Sequence, residues 1–298
     1  MKEIQGISVI SLTPFTESGE VDTDSLRRLT EFYLKSAVHG ITILGIMGEA
    51  NKLTEAERQL VTETVIQQVN GRVPVIVGCS ATGTHQSVHF AKQAAKAGAD
   101  AIMLAPPTNL KNLDLVLDHY RHVAKATDLP LVVQDEPTTT GVILPPPFFG
   151  RVAKEIGTAR YVKLEEAPTT VKISRILEES NGKFGLFGGL GGMYFYEELD
   201  RGAVGIMTGF AYPEILVEVY RLFQSGDKQA AREYFNRYLP LIRFEAQLGV
   251  GGMAIRKQIY KLRGAIQSAY VRPPAPGVDQ RTLEELEELM QFLGLGRK

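Results

Sequence analysis

The chain has 298 residues, 44% hydrophobic and 22% charged, enough for one large buried core with or without a small appendage. Lysine plus arginine (33) balances aspartate plus glutamate (34), so no basic field speaks for nucleic acid and no acidic tail is present. The single cysteine, Cys79, excludes an internal disulfide or multi-cysteine metal site; MKEIQGISVISLTPF lacks signal-peptide marks, and no window reaches the ~18 apolar residues of a membrane span, so a soluble cytoplasmic protein is expected.

Short apolar runs alternate with longer amphipathic ones, the sign of repeated strand–helix units around a parallel sheet. Gly6 to Leu12 reads as the first strand, ending in Thr13-Pro14, and residues 23–38 as a helix with Leu26, Leu29, Phe32 and Tyr33 on one face. The second strand, Gly40 to Ile46, runs into GIMGEANKLT, and Thr54 with Glu57 forms a capping box that opens the next helix. Pro74 to Cys79 precedes a helix over 84–97, and Ala101 to Ala105 precedes one over 113–127. Leu129 to Gln134 runs into DEPTTTG, with a helix beginning near Pro147. The sixth strand lies in Ala159 to Pro168, ARYVKLEEAP. Phe184 to Phe187 opens the turn GGLGG, and Gly202 to Thr208 is the eighth strand, followed by a helix over 213–224.

Eight such units in about 225 residues is the count of a closed (β/α)8 TIM barrel. An open doubly wound sheet would carry a G-x-G-x-x-G after its first strand, and none is present. Beyond Gly226 the pattern is helical only, over 227–246, 251–263 and 282–293, the last with Thr282 and Glu285 in capping-box spacing. The expected division is a barrel over 1–225 and a C-terminal helical domain over 226–298.

Barrel enzymes keep their chemistry at the carboxyl ends of the strands. That rule selects Thr13-Pro14, Gly45 to Glu49, Pro106 to Thr108, Gln134 to Pro137, Lys163 to Glu166, Gly188 to Gly192 and Thr208-Gly209. Lys163 stands out, because an ammonium in a strand interior must find a partner or shed its proton, and a neutral amine is a nucleophile. The competing reading is a lysine whose head reaches solvent or pairs with Glu165 or Glu166. Strand alternation turns Glu165 the same way as Lys163, and Glu136 the same way as Gln134. Glycines at Gly45 and Gly48 let backbone N–H groups approach an anion, or simply make a tight turn.

These residues resemble the dihydrodipicolinate synthase/N-acetylneuraminate lyase family of Schiff-base aldolases. The resemblance is carried by LTPF (Leu12 to Phe15), G-x-x-G-E (Gly45 to Glu49), Pro137 with Thr140-Gly141, Lys163, and RPP (Arg272 to Pro274), in the family's order over nearly the whole chain. It implies that Lys163 forms an imine with pyruvate or another 2-keto acid, with no metal or organic cofactor. It implies that the loop of Gly45, Ile46, Met47 and Gly48 receives the substrate carboxylate, and that the chain forms a homo-oligomer, a dimer or tetramer. Thr208 and Gly189 are further candidates for lining the substrate pocket.

The sequence departs from the family at several of these places. Ile46 and Met47 stand where the loop usually carries hydroxyls, Gln134 where the fifth strand usually ends in the acid/base tyrosine, and Pro107-Thr108 where a tyrosine pair is usual. Thr139 replaces the arginine expected for the aldehyde substrate of the true synthase, which argues against lysine biosynthesis. Imine chemistry still needs a proton carrier. Glu165 or Glu136 is the expected replacement, the alternative being rim carboxylates that are solvated or salt-bridged to Arg160 or Lys172. His85 with His89, and His119 with His122, are read as solvated helix faces rather than metal ligands, Glu49 as structural, and Tyr194 or Tyr196 as a possible source of a phenol. The expected function is a Schiff-base lyase making or breaking a C–C bond. The alternatives are a 2-keto-3-deoxy sugar acid dehydratase using the same imine, or a non-catalytic barrel that binds a keto acid or serves structure.

Overall fold

The computed structural model describes residues 3–247 and 250–295. Among them eight parallel strands close into a barrel in sequence order: β1 (Gly6–Ile10), β2 (Gly40–Ile43), β3 (Val75–Gly78), β4 (Ala101–Leu104), β5 (Leu131–Asp135), β6 (Ala159–Leu164), β7 (Gly185–Gly188) and β8 (Gly205–Thr208). Around them run α1 (Thr23–Lys35), α2 (Glu55–Val69), α3 (Thr84–Ala97), α4 (Leu113–Ala124), α5 (Pro137–Thr140), α6 (Pro146–Glu155), α7 (Thr169–Glu179), α8 (Phe195–Asp200) and α9 (Pro213–Gln224). Then follow α10 (Lys228–Glu245), α11 (Val250–Leu262) and α12 (Gln280–Phe292). The short helices α5 and α8 lie in stretches that carry too few residues for a helical period to be read.

Alternation along the strands sorts their side chains into two layers. Ile10, Ile76, Met103, Val132, Phe187 and Met207 fill the barrel interior. Ile7, Val9, Ile41, Ile43, Leu164 and Ile206 point out and pack under the helices. The register sets Gln134 beside Lys163 and Lys163 beside Phe187, so both polar side chains share the interior parity near the carboxyl end of the barrel. β2 stops three residues short of the expected Ile46, because Leu44 takes a left-handed φ of 56° and turns the chain out of the sheet.

The Thr54–Glu57 capping box forms as expected. The one expected at Thr282 does not: Asp279 caps α12, accepting the N–H of Thr282 at 2.9 Å and its hydroxyl at 2.9 Å, which places Thr282 inside the first turn. The helices after residue 226 share a core with the barrel. Phe235, Ile259 and Leu286 belong to the same apolar cluster as β1 and α1, and Tyr260 meets the rings of Phe32 and Tyr33 edge-on at 5.8 and 5.7 Å.

The seam between β8 and β1 is closed by two glycines in register, Gly205 and Gly6. A Cβ on Gly205 would stand 2.0 Å from the Gly6 carbonyl oxygen, with backbone on both sides that cannot yield. Gly205→Ala is expected to lower stability in urea unfolding by more than about 3 kcal/mol or to prevent soluble accumulation. Gly157→Ala, outside the left-handed region and with nothing within 4 Å, should stay within about 0.5 kcal/mol of the parent.

Candidate active site

Lys163 projects from β6 into the barrel and is only 5% exposed. Its Nζ lies 2.7 Å from Oε2 of Glu165, and the side-chain amide of Gln134 donates to the same oxygen at 2.9 Å. Glu165 is fixed at its backbone too, its N–H donating to the Asp135 carbonyl at 2.9 Å. One carboxylate therefore balances the buried ammonium and orients the neighbouring amide. Gly189 makes this possible, since a Cβ there would stand 2.4 Å from Cγ of Glu165. Its part is thus to make room for Glu165.

The four carboxylates at the ends of β5 and β6 divide by direction. Asp135 and Glu166 both bind Lys172 of α7, Asp135 at 2.6 Å, on the helix side of the sheet. Glu136 caps α5, its Oε2 accepting the Thr139 N–H at 2.8 Å. Glu165 alone of the four touches Lys163. The rim-pairing alternative holds for Asp135 and Glu166, with Lys172 as the cation.

After Leu44, residues Ile46–Gly48 form one 3₁₀ turn, in which Gly48 N–H reaches the Gly45 carbonyl and Glu49 N–H the Ile46 carbonyl, each at 3.0 Å. The leading N–H groups of such a turn have no partner within it. Thr13 ties the turn down, its hydroxyl donating to the Gly48 carbonyl at 2.7 Å. Glu49, fully buried, receives Lys257 Nζ at 2.6 Å, Lys52 Nζ at 2.9 Å and the Arg272 N–H at 3.1 Å, which makes it an anchor between the turn and the C-terminal helices.

Two hollows flank the Lys163 group. A small one of about 110 Å³ is lined by Met47, Glu136, Glu165, Gly191 and Arg256 among others. A larger groove of about 440 Å³ runs past Gly45, Ile46, Pro106, Thr108, Gln134 and Thr139. The Gln134–Glu165 hydrogen bond joins a residue of one to a residue of the other.

Other candidates are not brought to this group. Thr208 pairs with outward-facing Val9 and takes the same parity, under the helices, which removes it from the pocket it was expected to line. Tyr196 is buried against Phe223 at 5.8 Å, and Tyr194 is exposed at the start of α8. His89 pairs with Glu55 at 2.6 Å on the surface and His122 is exposed. His119 is not on a solvated face: it is buried, with Nδ1 2.9 Å from the Thr84 hydroxyl, and burial pushes its pKa down to about 4. Among the described residues no group of three or more His, Cys, Asp or Glu is arranged to hold a metal ion, and no helix is long and apolar enough to cross a membrane.

Residues 3–293 match the Dihydrodipicolinate synthetase family. The chain belongs to this family. It is 31% identical, over 98% of its length and 97% of the relative's, to the 4-hydroxy-tetrahydrodipicolinate synthase of Methanopyrus kandleri. It is 29% identical, over 95% of its length and 92% of the relative's, to the L-2-keto-3-deoxyarabonate dehydratase of Azospirillum brasilense. Its fold superposes on the crystal structure of dihydrodipicolinate synthase from Rhodopseudomonas palustris with a TM-score of 0.91, at 34% identity and 97% coverage of both chains.

Within this dihydrodipicolinate synthetase family member, sequence reasoning missed three buried charged residues near the site: Lys257 and Arg256 of α11 and Glu245 of α10. The available signal was the Arg256-Lys257 pair following the apolar run Met253 to Ile255 within α11. Burial also lifts three carboxyls. Glu198 is pushed up to about 8, burial outweighing the opposing pull of the neighbouring Thr169 hydroxyl. Asp135 and Glu245 rise to about 7, burial outweighing the opposing pull of Lys172 and Arg256 respectively.

A carboxyl raised in the folded state keeps its proton there longer than in the unfolded chain. Its stabilising contribution is complete below the unfolded value and fades as pH rises through the folded one. The urea midpoint is expected to fall between about pH 6.5 and pH 8, above the range in which buried His119 opposes it by raising stability with pH, and Glu198→Gln to flatten that fall. Lys257, lowered to about 8 by burial, acts with the opposite sign only above pH 8. A midpoint that is level across this range, or a slope unchanged in the variant, would contradict the assignment.

Proposed function

We propose that Lys163 forms an imine with the 2-keto carbon of pyruvate or a longer 2-keto acid, and that the imine is the electron sink for making or breaking a C–C bond. The carrying observation is the buried Lys163 with Glu165 at 2.7 Å. The ion pair holds the proton that must move before the amine can attack. Glu165 takes that proton, the freed amine adds to the carbonyl carbon, and the resulting hydroxyl receives a proton and leaves as water. In cleavage, the proton of the hydroxyl beyond the breaking bond leaves as the electrons of that bond flow into the imine. Gln134 is an amide and exchanges no proton near neutral pH, so it orients Glu165 and leaves the proton transfers to the carboxylate. The substrate carboxylate fits the 3₁₀ turn of Gly45 to Gly48, where unpaired N–H groups stand in for the missing hydroxyls. The route uses only the chain's side chains and the substrate.

A second reading within the same chemistry is favoured by the relative that is an L-2-keto-3-deoxyarabonate dehydratase. There the imine acidifies C3, a proton leaves that carbon, and the hydroxyl on C4 departs as water after protonation. Both readings require the same first step and the same proton carrier.

Borohydride reduction in the presence of pyruvate should leave one adduct, on the peptide that carries Lys163, and none in Lys163→Ala. Glu165→Gln should lower turnover roughly 10²- to 10⁴-fold while a slower adduct still forms. Absence of any adduct from the folded protein, with pyruvate and with a panel of 2-keto-3-deoxy sugar acids, would favour a barrel that binds or scaffolds without catalysis. Unchanged turnover in Glu165→Gln would reassign the proton carrier.

A further inference from the structure

We infer that Arg256 selects the far end of the substrate, receiving a carboxylate carried beyond the 2-keto head. The inference deepens the imine reading and rests on it for where that head lies. α11 delivers Arg256 to the small hollow that also touches Glu165, the partner of Lys163. A molecule anchored at Lys163 and extending past Glu165 therefore arrives at Arg256.

The guanidinium is built in but incompletely satisfied. It is 6% exposed, and its Nε meets Oε2 of Glu245 at 3.3 Å. Among the described residues the Nη1 group has only the sulfur of Met47 as an acceptor, at 3.2 Å, and a thioether is a weak one. Nη2 is buried with no hydrogen-bond partner among the described residues. Leaving buried donors unmet is unfavourable, and a cation more so. Glu245 offsets the charge only in part: burial raises its carboxyl, and the same Oε2 also accepts the Ala211 N–H at 2.9 Å.

The geometry specifies the ligand. Glu245 occupies the Nε edge and only the Met47 thioether covers Nη1, so a carboxylate that displaces that sulfur meets the Nη1/Nη2 end, a two-pronged donor that matches its two oxygens. The wall beside that end is bare backbone, because Gly191 has a φ of +70° and a Cβ there would stand 2.4 Å from the Ala246 Cβ and 3.5 Å from Nη2. Of the other charged groups on the hollow, Glu165 is balanced by Lys163, while Glu136 keeps its charge and turns one oxygen to the Thr139 N–H, so the arriving carboxylate is drawn to the Arg256 end of the hollow. Carboxylates accept hydrogen bonds, so these two suit hydroxyls in the middle of the substrate. The substrate class is a hydroxylated 2-keto acid with a second, terminal carboxylate.

Calorimetric titration with a sugar diacid, glucarate, and its monoacid counterpart, gluconate, tests the assignment without needing an imine. The wild-type protein should bind the diacid roughly 10- to 100-fold more tightly. Arg256→Lys, which keeps the charge and loses the fork, should give an intermediate ratio. Glu245→Gln/Arg256→Met, which leaves no buried charge behind, should bring the ratio to about one. A general loss of fit would weaken both ligands and leave the ratio standing, and a ratio unchanged by the substitutions overturns the assignment. So does equal binding of both acids, or no binding of the diacid, by the wild-type protein. Pyruvate trapping on the wild-type protein is scored separately: its failure removes the imine reading, while the calorimetric ratio still decides Arg256.

Discussion

A charged amine inside a barrel sets the terms for everything near it. Lys163 stands at a position whose neighbours around the sheet are Gln134 and Phe187, above an interior of isoleucine, methionine and valine. Without a counterion the ammonium would be strongly disfavoured there. Glu165 supplies one from the end of the same strand. To do so it must cross the mouth of β7, and it passes where Gly189 has no side chain. The ion pair, the amide that shares its oxygen and the bare glycine are therefore one unit. Altering any member disturbs the others.

Sheet parity then decides which acid does which work. Residues 163 and 165 share one direction, so the buried amine and its partner face the same interior. Asp135 stands one residue from Gln134 and so faces the helices, where Lys172 holds it together with Glu166. The crowd of acids at the ends of β5 and β6 is thus two systems separated by the sheet. One secures α7 to the barrel, and the other meets the amine.

The fold was legible because its signal repeats. Eight apolar runs at regular spacing, each followed by an amphipathic stretch, leave little alternative to a closed barrel, and the lone lysine in the sixth run marks the site. What failed did so for local or long-range reasons. Asp279 displaced Thr282 as the cap of α12 because a carboxylate nearby could accept both its N–H and its hydroxyl. His119 lies on the inner side of α4, and i, i+3 spacing alone does not say which side of an outer helix is covered. Thr208 was chosen by strand end, whereas its parity follows from pairing with Val9 on the far end of the chain. The Arg256-Lys257 pair was visible in its helix, but what it meets was not, for a related reason. Their partners, Met47 and Glu49, are about 210 residues away, and a helix pattern carries no information about which barrel loop it will cover.

That long-range contact changes what the C-terminal helices are for. Lys257 and the Arg272 N–H hold Glu49 at the end of the turn that begins at Gly45, and Arg256 touches Met47 within it. Ile46 and Met47 offer no hydroxyl to a substrate, and Gln134 offers no exchangeable proton. On our reading the proton work passes to Glu165 and recognition of the distal group passes to Arg256, both facing one hollow. Replacing side chains on the strand ends therefore does not empty the site. On the same reading it shifts binding toward the helices, and it ties substrate choice to the side chains that pin the turn of Gly45 to Gly48. A ligand seated against Arg256 would compete with Glu245 for the guanidinium and press on Met47, so recognition of the far end and the geometry of the near end are mechanically linked.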